Sequence, residues 1–246
     1  ITAGAGTNSI AVTWNGAGLR TVAITYIDTN GCSPLMSAQL QVAVNPVPVA
    51  TISCPLSACV NSAGNIYSTT GGMTNYSWTV SAGGVITTGA GTSTITVTWN
   101  TAGAQNLSVS YTSSAGCPAI SPFFGVTVYP LPQPTITGPV SSCTGLTGNI
   151  YSTQPGMTGY LWTLSAGGTI TSGAGSSSIS VTWNSPGAQT VNVTYTGAYG
   201  CAGTSPTFGV TVLAGPTPTI AGPTSACISG TYIYSTETGM NNYLWT

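Results

Sequence analysis

The chain repeats itself every 84 residues, and whatever it folds into must accommodate that period. Trp78 recurs as Trp162, Trp99 as Trp183, Cys59 as Cys143 and Cys117 as Cys201, each 84 positions on. The run Tyr76-Ser77-Trp78-Thr79-Val80-Ser81-Ala82-Gly83-Gly84 returns as Tyr160-Leu161-Trp162-Thr163-Leu164-Ser165-Ala166-Gly167-Gly168, and Tyr243-Leu244-Trp245-Thr246 opens it again. Val12-Thr13-Trp14-Asn15, Val97-Thr98-Trp99-Asn100 and Val181-Thr182-Trp183-Asn184 are three versions of a second run. A unit of this size is just large enough to enclose one small core, so the chain reads as a tandem array of one module. The array, and no single residue, is the functional signal.

Within a module, apolar residues alternate with Ser and Thr, the pattern of strands buried on one side. The first complete module, residues 51–128, offers Ile66-Tyr67, Tyr76/Trp78/Val80, Ile95/Val97/Trp99, Leu107/Val109/Tyr111 and Phe124/Val126/Val128 as inward positions. The second, residues 135–212, offers Ile150, Trp162, Ile179, Val181, Trp183, Val191, Val193, Tyr195, Phe208, Val210 and Val212. No helical period appears, and turns recur every 8 to 12 residues, which predicts an all-β fold of tandem antiparallel β-sandwich modules with about seven strands each. Pro-rich stretches at 45–50, 129–134 and 213–218 read as short stiff linkers. They set off residues 1–44 as the second half of a module and 219–246 as the first half of another. Two complete and two half modules are therefore expected.

Charge decides what such an array does not do. Arg20, Asp28 and Glu237 are its only charged side chains, against a usual fraction of roughly 25%. Binding nucleic acid or an anionic membrane surface needs clustered Lys and Arg, so neither partner is expected. Every apolar run is broken by Ser, Thr, Asn or Gly well short of the roughly 20 residues of a membrane span, so no membrane insertion is expected. Catalysis lacks a base: there is no His or Lys, and the two carboxylates lie far apart in sequence, so the chain is not read as an enzyme. The same scarcity argues against calcium, and no cofactor is implied. Gly89-Ala90-Gly91 and Gly173-Ala174-Gly175 look like phosphate loops but precede strands, with no Lys after them, and read as turns.

Cysteines give the compartment. Cys59 to Cys117 and Cys143 to Cys201 are both 58 residues apart and occupy matching points of the repeat. One disulfide per module, Cys59–Cys117 and Cys143–Cys201, is the expectation, and it implies an oxidising, extracellular setting. A buried reduced pair is the alternative; zinc is disfavoured because the cysteines are not clustered and no His completes a site. Cys54 is the odd thiol, with Gly138 and Gly222 in its place elsewhere.

Tyr160-Leu161-Trp162-Thr163-Leu164-Ser165-Ala166-Gly167-Gly168-Thr169 resembles the strand-and-turn signature of PKD (polycystic kidney disease) domains, usually Tyr-x-Trp-Asp-Phe-Gly-Asp-Gly. Ser185-Pro186-Gly187-Ala188-Gln189-Thr190-Val191-Asn192-Val193 resembles their Pro-Gly-x-Tyr-x-Val-x-Leu turn and strand. The resemblance spans essentially the whole chain and is nearest to the low-charge PKD-like and Ig-like repeats of long surface proteins of gliding and biofilm-forming bacteria. It implies a cell-surface location. Both turn aspartates of the signature are replaced, by Thr163 and Ala166 and by Thr79 and Ala82, so no cation site is carried over.

Two functions fit these features. The first is a structural segment of an extracellular filament or adhesin stalk, whose partners are copies of itself or adjacent repeats. A surface with almost no charge lacks both long-range repulsion and the Lys that blunts strand edges, which favours packing against copies. The alternative is a polysaccharide-binding module, with Tyr76, Tyr160 or Tyr243 stacking on sugar rings, although their phase with Val and Ile also suits a core. Asn75, Asn106 and Asn192 begin sequons that read as chance matches. The ends carry one further expectation. Thr246 aligns with Thr79 and Thr163, and Ile1 with Ile86 and Ile170, so the two half modules lack only a short turn between them and the chain reads as an excerpt of a longer or processed protein. Completed head to tail, they would bring Tyr243 and Trp245 against Trp14, and Cys227 to Cys32 of the neighbouring segment.

Overall fold

The computed structural model describes residues 1–246 and contains strands and turns but no helix. By contacts the chain divides into two units, residues 1–131 and 132–246, each taken by itself below. The first unit opens with a hairpin of β1 (Gly18–Ile24) and β2 (Ala38–Val44). It continues through β3 (Ser57–Cys59), β4 (Asn65–Ser68), β5 (Thr74–Val80), β6 (Gly84–Thr88), β7 (Thr94–Trp99), β8 (Gly103–Thr112), β9 (Pro118–Ile120) and β10 (Phe124–Tyr129). The second repeats that order with β11 (Ser141–Cys143), β12 (Asn149–Ser152), β13 (Thr158–Leu164), β14 (Gly168–Ser172), β15 (Ser178–Trp183), β16 (Gly187–Thr196), β17 (Ala202–Thr204) and β18 (Phe208–Leu213).

Each complete module is a two-sheet sandwich. One sheet runs β3-β10-β8-β5 with β9 also on β8, and the other β4-β7-β6; the second module has β11-β18-β16-β13 with β17 on β16, and β12-β15-β14. Eight strands stand where about seven were expected, and the sandwich is not wholly antiparallel: β3 pairs parallel with β10 and β11 with β18. The reason is topological. The first strand crosses to the edge where the last one arrives, so both run the same way. The short strands β3 and β9 have no sequence period to announce them, since three residues cannot display an alternation.

The core sits where the alternation puts it. Tyr67, Ile95, Val97 and Trp99 from one sheet meet Trp78, Leu107, Val109, Tyr111, Val126 and Val128 from the other in a single buried cluster. Tyr151, Trp162, Ile179, Val181, Trp183, Val191, Val193, Val210 and Val212 form its counterpart. Inside, Trp99 Nε1 donates to the Tyr67 hydroxyl over 2.9 Å with the rings edge to face, and Trp183 does the same to Tyr151 at 3.1 Å. That pairing satisfies an indole N–H that would otherwise be stranded in an apolar core. It also corrects the expected inward place of Ile150: a strand can send only one of Ile150 and Tyr151 inside, and Tyr151 goes in while Ile150 is exposed.

The repeated Gly-Gly pair has a packing cause. A Cβ built on Gly84 would lie 2.5 Å from the Trp99 ring, and one on Gly168 would lie 2.6 Å from Trp183. The tryptophan covers the bare backbone at the start of the neighbouring strand. Gly89 and Gly173 instead hold positive φ, 79° and 78°, in the tight turns that precede β7 and β15.

Candidate functional site

Three sets of residues stand out for function: the aromatic residues of the two end segments, the cysteines and the tyrosines of β5 and β13. The end segments are built like the complete modules but unfinished. In the hairpin β1–β2, Gly18 faces Val44 and Val22 faces Leu40, the register in which Gly103 faces Val128 in the first complete module. The bridge Ala3↔Ala11 likewise matches the pairing of Thr88 with Thr96 between β6 and β7. Yet residues 12–15, the counterpart of the end of β7, form no strand. The strands that would flank them, equivalents of β4 and most of β6, are missing.

At the other end, Ala221 bridges Ser235 as Thr137 bridges Ser152. The Tyr243 hydroxyl donates to Glu237 O at 2.7 Å and accepts from Met240 N at 2.9 Å, as Tyr160 does with Gln154 O and Met157 N. No continuous strand forms here, because the equivalents of β15 and β16, partners of β12 and β13, are missing. What remains is an open groove of about 820 Å³ lined by Pro218, Ile220, Met240, Tyr243, Leu244 and Trp245 among others.

Exposure measures the deficit. Trp14 is 36% exposed where its counterpart Trp99 is 0%, and Trp245 is 52% exposed where Trp162 is 5%. Ile24, Tyr26 and Tyr234, whose equivalents are core residues, are exposed as well. Trp14 lies in the first unit, and Tyr243 and Trp245 in the second, each in its own end segment.

The cysteines depart from expectation. Cys117 and Cys143 are free thiols, as are Cys32, Cys54 and Cys227, while Cys59 and Cys201 are disulfide-bonded. The bonds Cys59–Cys117 and Cys143–Cys201 are therefore not formed, and the strand order shows why. Cys59 faces Tyr129 beside the start of β8, whereas Cys117 lies in the turn past its end. Ten residues of β8 separate the two, a distance of about 30 Å at roughly 3.3 Å per residue. A disulfide needs Cα atoms within about 7 Å. Cys143 faces Leu213 at one end of β16 and Cys201 sits past the other end, so the same exclusion holds. Cys227 and Cys32 are the equivalents of Cys59 and Cys117, so a module completed from the two halves would also hold them at opposite ends. Cys54 packs against the first core, and burial pushes its thiol pKa up.

Tyr76 and Tyr160 are already engaged. The Tyr76 hydroxyl donates to Thr70 O at 2.7 Å and accepts from Met73 N at 2.9 Å, and its ring lies 5.7 Å from that of Tyr111; Tyr160 packs on Tyr195 at the same distance. Trp78 and Trp162 are core, each with its indole N–H on a carbonyl, Thr92 O and Ser176 O. The carboxylates are spent locally as well. Asp28 accepts from the backbone N–H groups of Cys32 and Asn30, which lowers its pKa, and Glu237 is held at about 2 by hydrogen bonds from Thr219 and Thr236.

Sequence reading passed over one structural residue, the amide at Asn65 and Asn149. Asn65 Nδ2 donates to Ser62 O at 2.9 Å and Val97 O at 3.0 Å, and Asn149, itself buried, donates to Leu146 O at 2.8 Å and Val181 O at 3.0 Å, tying the loops after β3 and β11 to β7 and β15. Its recurrence at the same point of both repeats was the available signal.

Comparison with known proteins adds a family. The family model described as a PKD-like domain matches residues 45–123 and again 129–212. No curated protein matches. Among solved structures, the fibronectin(III)-like modules of Clostridium thermocellum CbhA are 13% identical, covering 68% of this chain and 94% of their own, at a TM-score of 0.35. A C-terminal 282-residue fragment of intimin, in complex with the intimin-binding domain of its translocated receptor, is 15% identical, with 74% and 68% covered and a TM-score of 0.34. Domains 1–6 of the surface layer protein SbsC are 14% identical, with 94% and 45% covered and a TM-score of 0.31. Likenesses this distant carry no argument about function.

Proposed function

Because this chain belongs to the PKD-like domain family, we propose that it is a structural segment of an extracellular filament or adhesin stalk. In this reading its half modules are completed head to tail by adjoining repeats. The observation that carries it is the state of the end segments: they keep the register and side-chain hydrogen bonds of a complete module while exposing residues that a complete module buries. Each half lacks the strands that the other supplies. The C-terminal half carries the equivalents of β11, β12 and β13, and the N-terminal half those of β15, β16 and β18, which are their pairing partners. Joining them would remove bare apolar surface and unpaired strand backbone together.

The rest of the molecule supports a scaffold. Residues 51–212 contain no charged side chain at all, so catalysis and ion-mediated contacts have nothing to work with. Disulfide-bonded Cys59 and Cys201 fit an oxidising compartment and hence the cell surface. The polysaccharide reading loses Tyr76 and Tyr160, whose rings pack on Tyr111 and Tyr195 of their own module, and keeps only Tyr243, exposed in the open groove of the C-terminal half. The test is a concentration series of the 246-residue chain, following mass by light scattering and Trp14 and Trp245 by collisional quenching. Self-association with a fall in quenching supports head-to-tail completion. A monomer with both tryptophans quenched at every concentration contradicts it.

A further inference from the structure

We propose that the outer face of the smaller sheet is a contact face, on which a second copy of the chain docks with the same face of its own. In the second unit this face belongs to β12, β15 and β14, whose inner side chains Tyr151, Ile179, Val181 and Trp183 fill the core. In the first unit β4, β7 and β6 repeat it. Comparing the two repeats sets it apart. Ile66, Ser68 and Thr98 return unchanged as Ile150, Ser152 and Thr182, and Thr88, Thr94 and Thr96 return as Ser172, Ser178 and Ser180, one hydroxyl for another. The outer face of the larger sheet is not kept in this way: Ser77 becomes Leu161, Asn106 becomes Thr190 and Ile120 becomes Thr204. Ile66 and Ile150 are 56% and 51% exposed, and Ile233 stands at the same point of the C-terminal end segment. Nothing inside the module requires an isoleucine there, since it is the neighbouring tyrosine that enters the core.

The chemistry of the face selects its partner. In the second unit the Ser152 and Ser178 hydroxyls bond each other at 2.9 Å, the Thr171 hydroxyl donates to Ser180 O at 3.1 Å, and Thr169 Oγ1 accepts from Asn184 Nδ2 at 2.8 Å. Thr182 Oγ1 is shut off from solvent. Much of the hydrogen-bonding capacity is thus spent inside the module, and burying groups already paired costs little. A neutral glycan would find few free hydroxyls and no aromatic ring, since Tyr151 and Trp183 point into the core. A charged partner would find no counter-charge, because residues 51–212 carry none. A second copy suits the face: it is equally free of charge, so nothing repels, and it carries the same surface at the same period.

Size sets the strength of the contact. Strands of four, six and five residues, at about 3.3 Å per residue and about 4.8 Å between strands, give a face of about 240 Å². Two such faces together bury about 480 Å², under half of the roughly 1,000 Å² of a lasting interface. One pair of faces therefore associates only on the order of millimolar, and weak contacts of this kind gain strength by repetition along an array. The same face on both partners makes the contact twofold, with the two sheets about 10 Å apart. It uses no residue of the end segments, and it stands whether or not they associate.

Methyl NMR of the 246-residue chain at rising concentration tests the contact. The Ile66 and Ile150 methyl signals should shift as the millimolar range is approached, while those of Leu161, at least as exposed but on the larger sheet, should stay fixed. Head-to-tail completion would instead move the signals of Trp14 and Trp245, so the two associations are read apart. In sedimentation equilibrium at the concentrations where the Ile signals move, Ile66→Lys combined with Ile150→Lys should weaken association at least about tenfold, and Leu161→Lys should leave it unchanged. All three positions are exposed, so these variants keep their cores. Mixing the Lys pair with the matching Glu pair, Ile66→Glu with Ile150→Glu, should raise association above that of either alone, as a contact of the face with itself requires. Ile66 and Ile150 signals that stay fixed at every concentration would overturn the proposal. So would an equal loss in Leu161→Lys, or a shift of the Ile signals produced by cellohexaose at a dilution where the chain is monomeric.

Discussion

Trp99 and Trp14 occupy the same point of the same repeat, yet one is wholly buried and the other more than a third exposed. The difference shows which part of this fold is local. Turns, the hairpin register and the Tyr243 hydroxyl bonds form in the half modules without their complement. Strand pairing beyond the hairpin and the burial of the tryptophans do not, because both need the opposite sheet. Short-range backbone and side-chain hydrogen bonds set the shape of each half, and apolar burial sets whether a module closes.

The largest effect should separate the two tryptophans. Trp183→Ala removes a core side chain and should cost about 3–5 kcal/mol, enough to abolish cooperative melting of the second complete module in thermal unfolding. Trp14→Ala in the isolated chain should change the melt by less than about 0.5 kcal/mol, since little around it is packed. Equal losses would erase the distinction between complete and half modules.

Next in size is the glycine under the tryptophan. Gly168→Ala places a methyl 2.6 Å from the Trp183 ring, and such overpacking should cost about 1–3 kcal/mol. Gly175→Ala, in open space, is the control and should be close to neutral in the same denaturant titration. Smaller again is Tyr160→Phe, which removes the hydroxyl between Gln154 O and Met157 N and should cost about 1 kcal/mol. Tyr243→Phe should loosen only its own end segment, as seen by amide exchange around Met240.

The smallest effect is of pH, and it belongs to the end segments alone. Residues 51–212 hold no carboxylate, and Gln154 stands where the C-terminal half has Glu237. Glu237 is depressed from 4.5 to about 2 by the hydrogen bonds it accepts. A depressed carboxylate stabilises the fold above its unfolded pKa and loses that contribution as pH falls through the folded value. Amide exchange at Thr219 should therefore quicken between about pH 4.5 and pH 2, while β12–β18 stay unchanged. A matching loss in the complete modules would point to a titrating group that they do not contain.

Much of this architecture was legible in the sequence. The period gave the modules, and the alternation gave the buried face of β7, β8, β15 and β16, because a strand with one side in the core writes its geometry into every second residue. Strand order was not legible. Whether Cys59 can reach Cys117 depends on β3 running parallel beside β10, and three-residue strands held by backbone hydrogen bonds leave no trace in side-chain pattern. Equal spacing therefore suggested a bond that the sheet forbids. The choice between Ile150 and Tyr151 failed for a related reason: both suit a core, and only the indole of Trp183 decides between them. The end segments showed the limit most clearly, since their sequence matches that of a closed module while their exposure depends on a complement.

That dependence can be tested directly by hydrogen exchange on native assembled material set beside the isolated 246-residue chain. Residues 10–15 and 232–246 should exchange quickly in the isolated chain and become as protected in the assembly as β7, β12 and β13. Rapid exchange of both segments in the assembled material would contradict head-to-tail completion of the module.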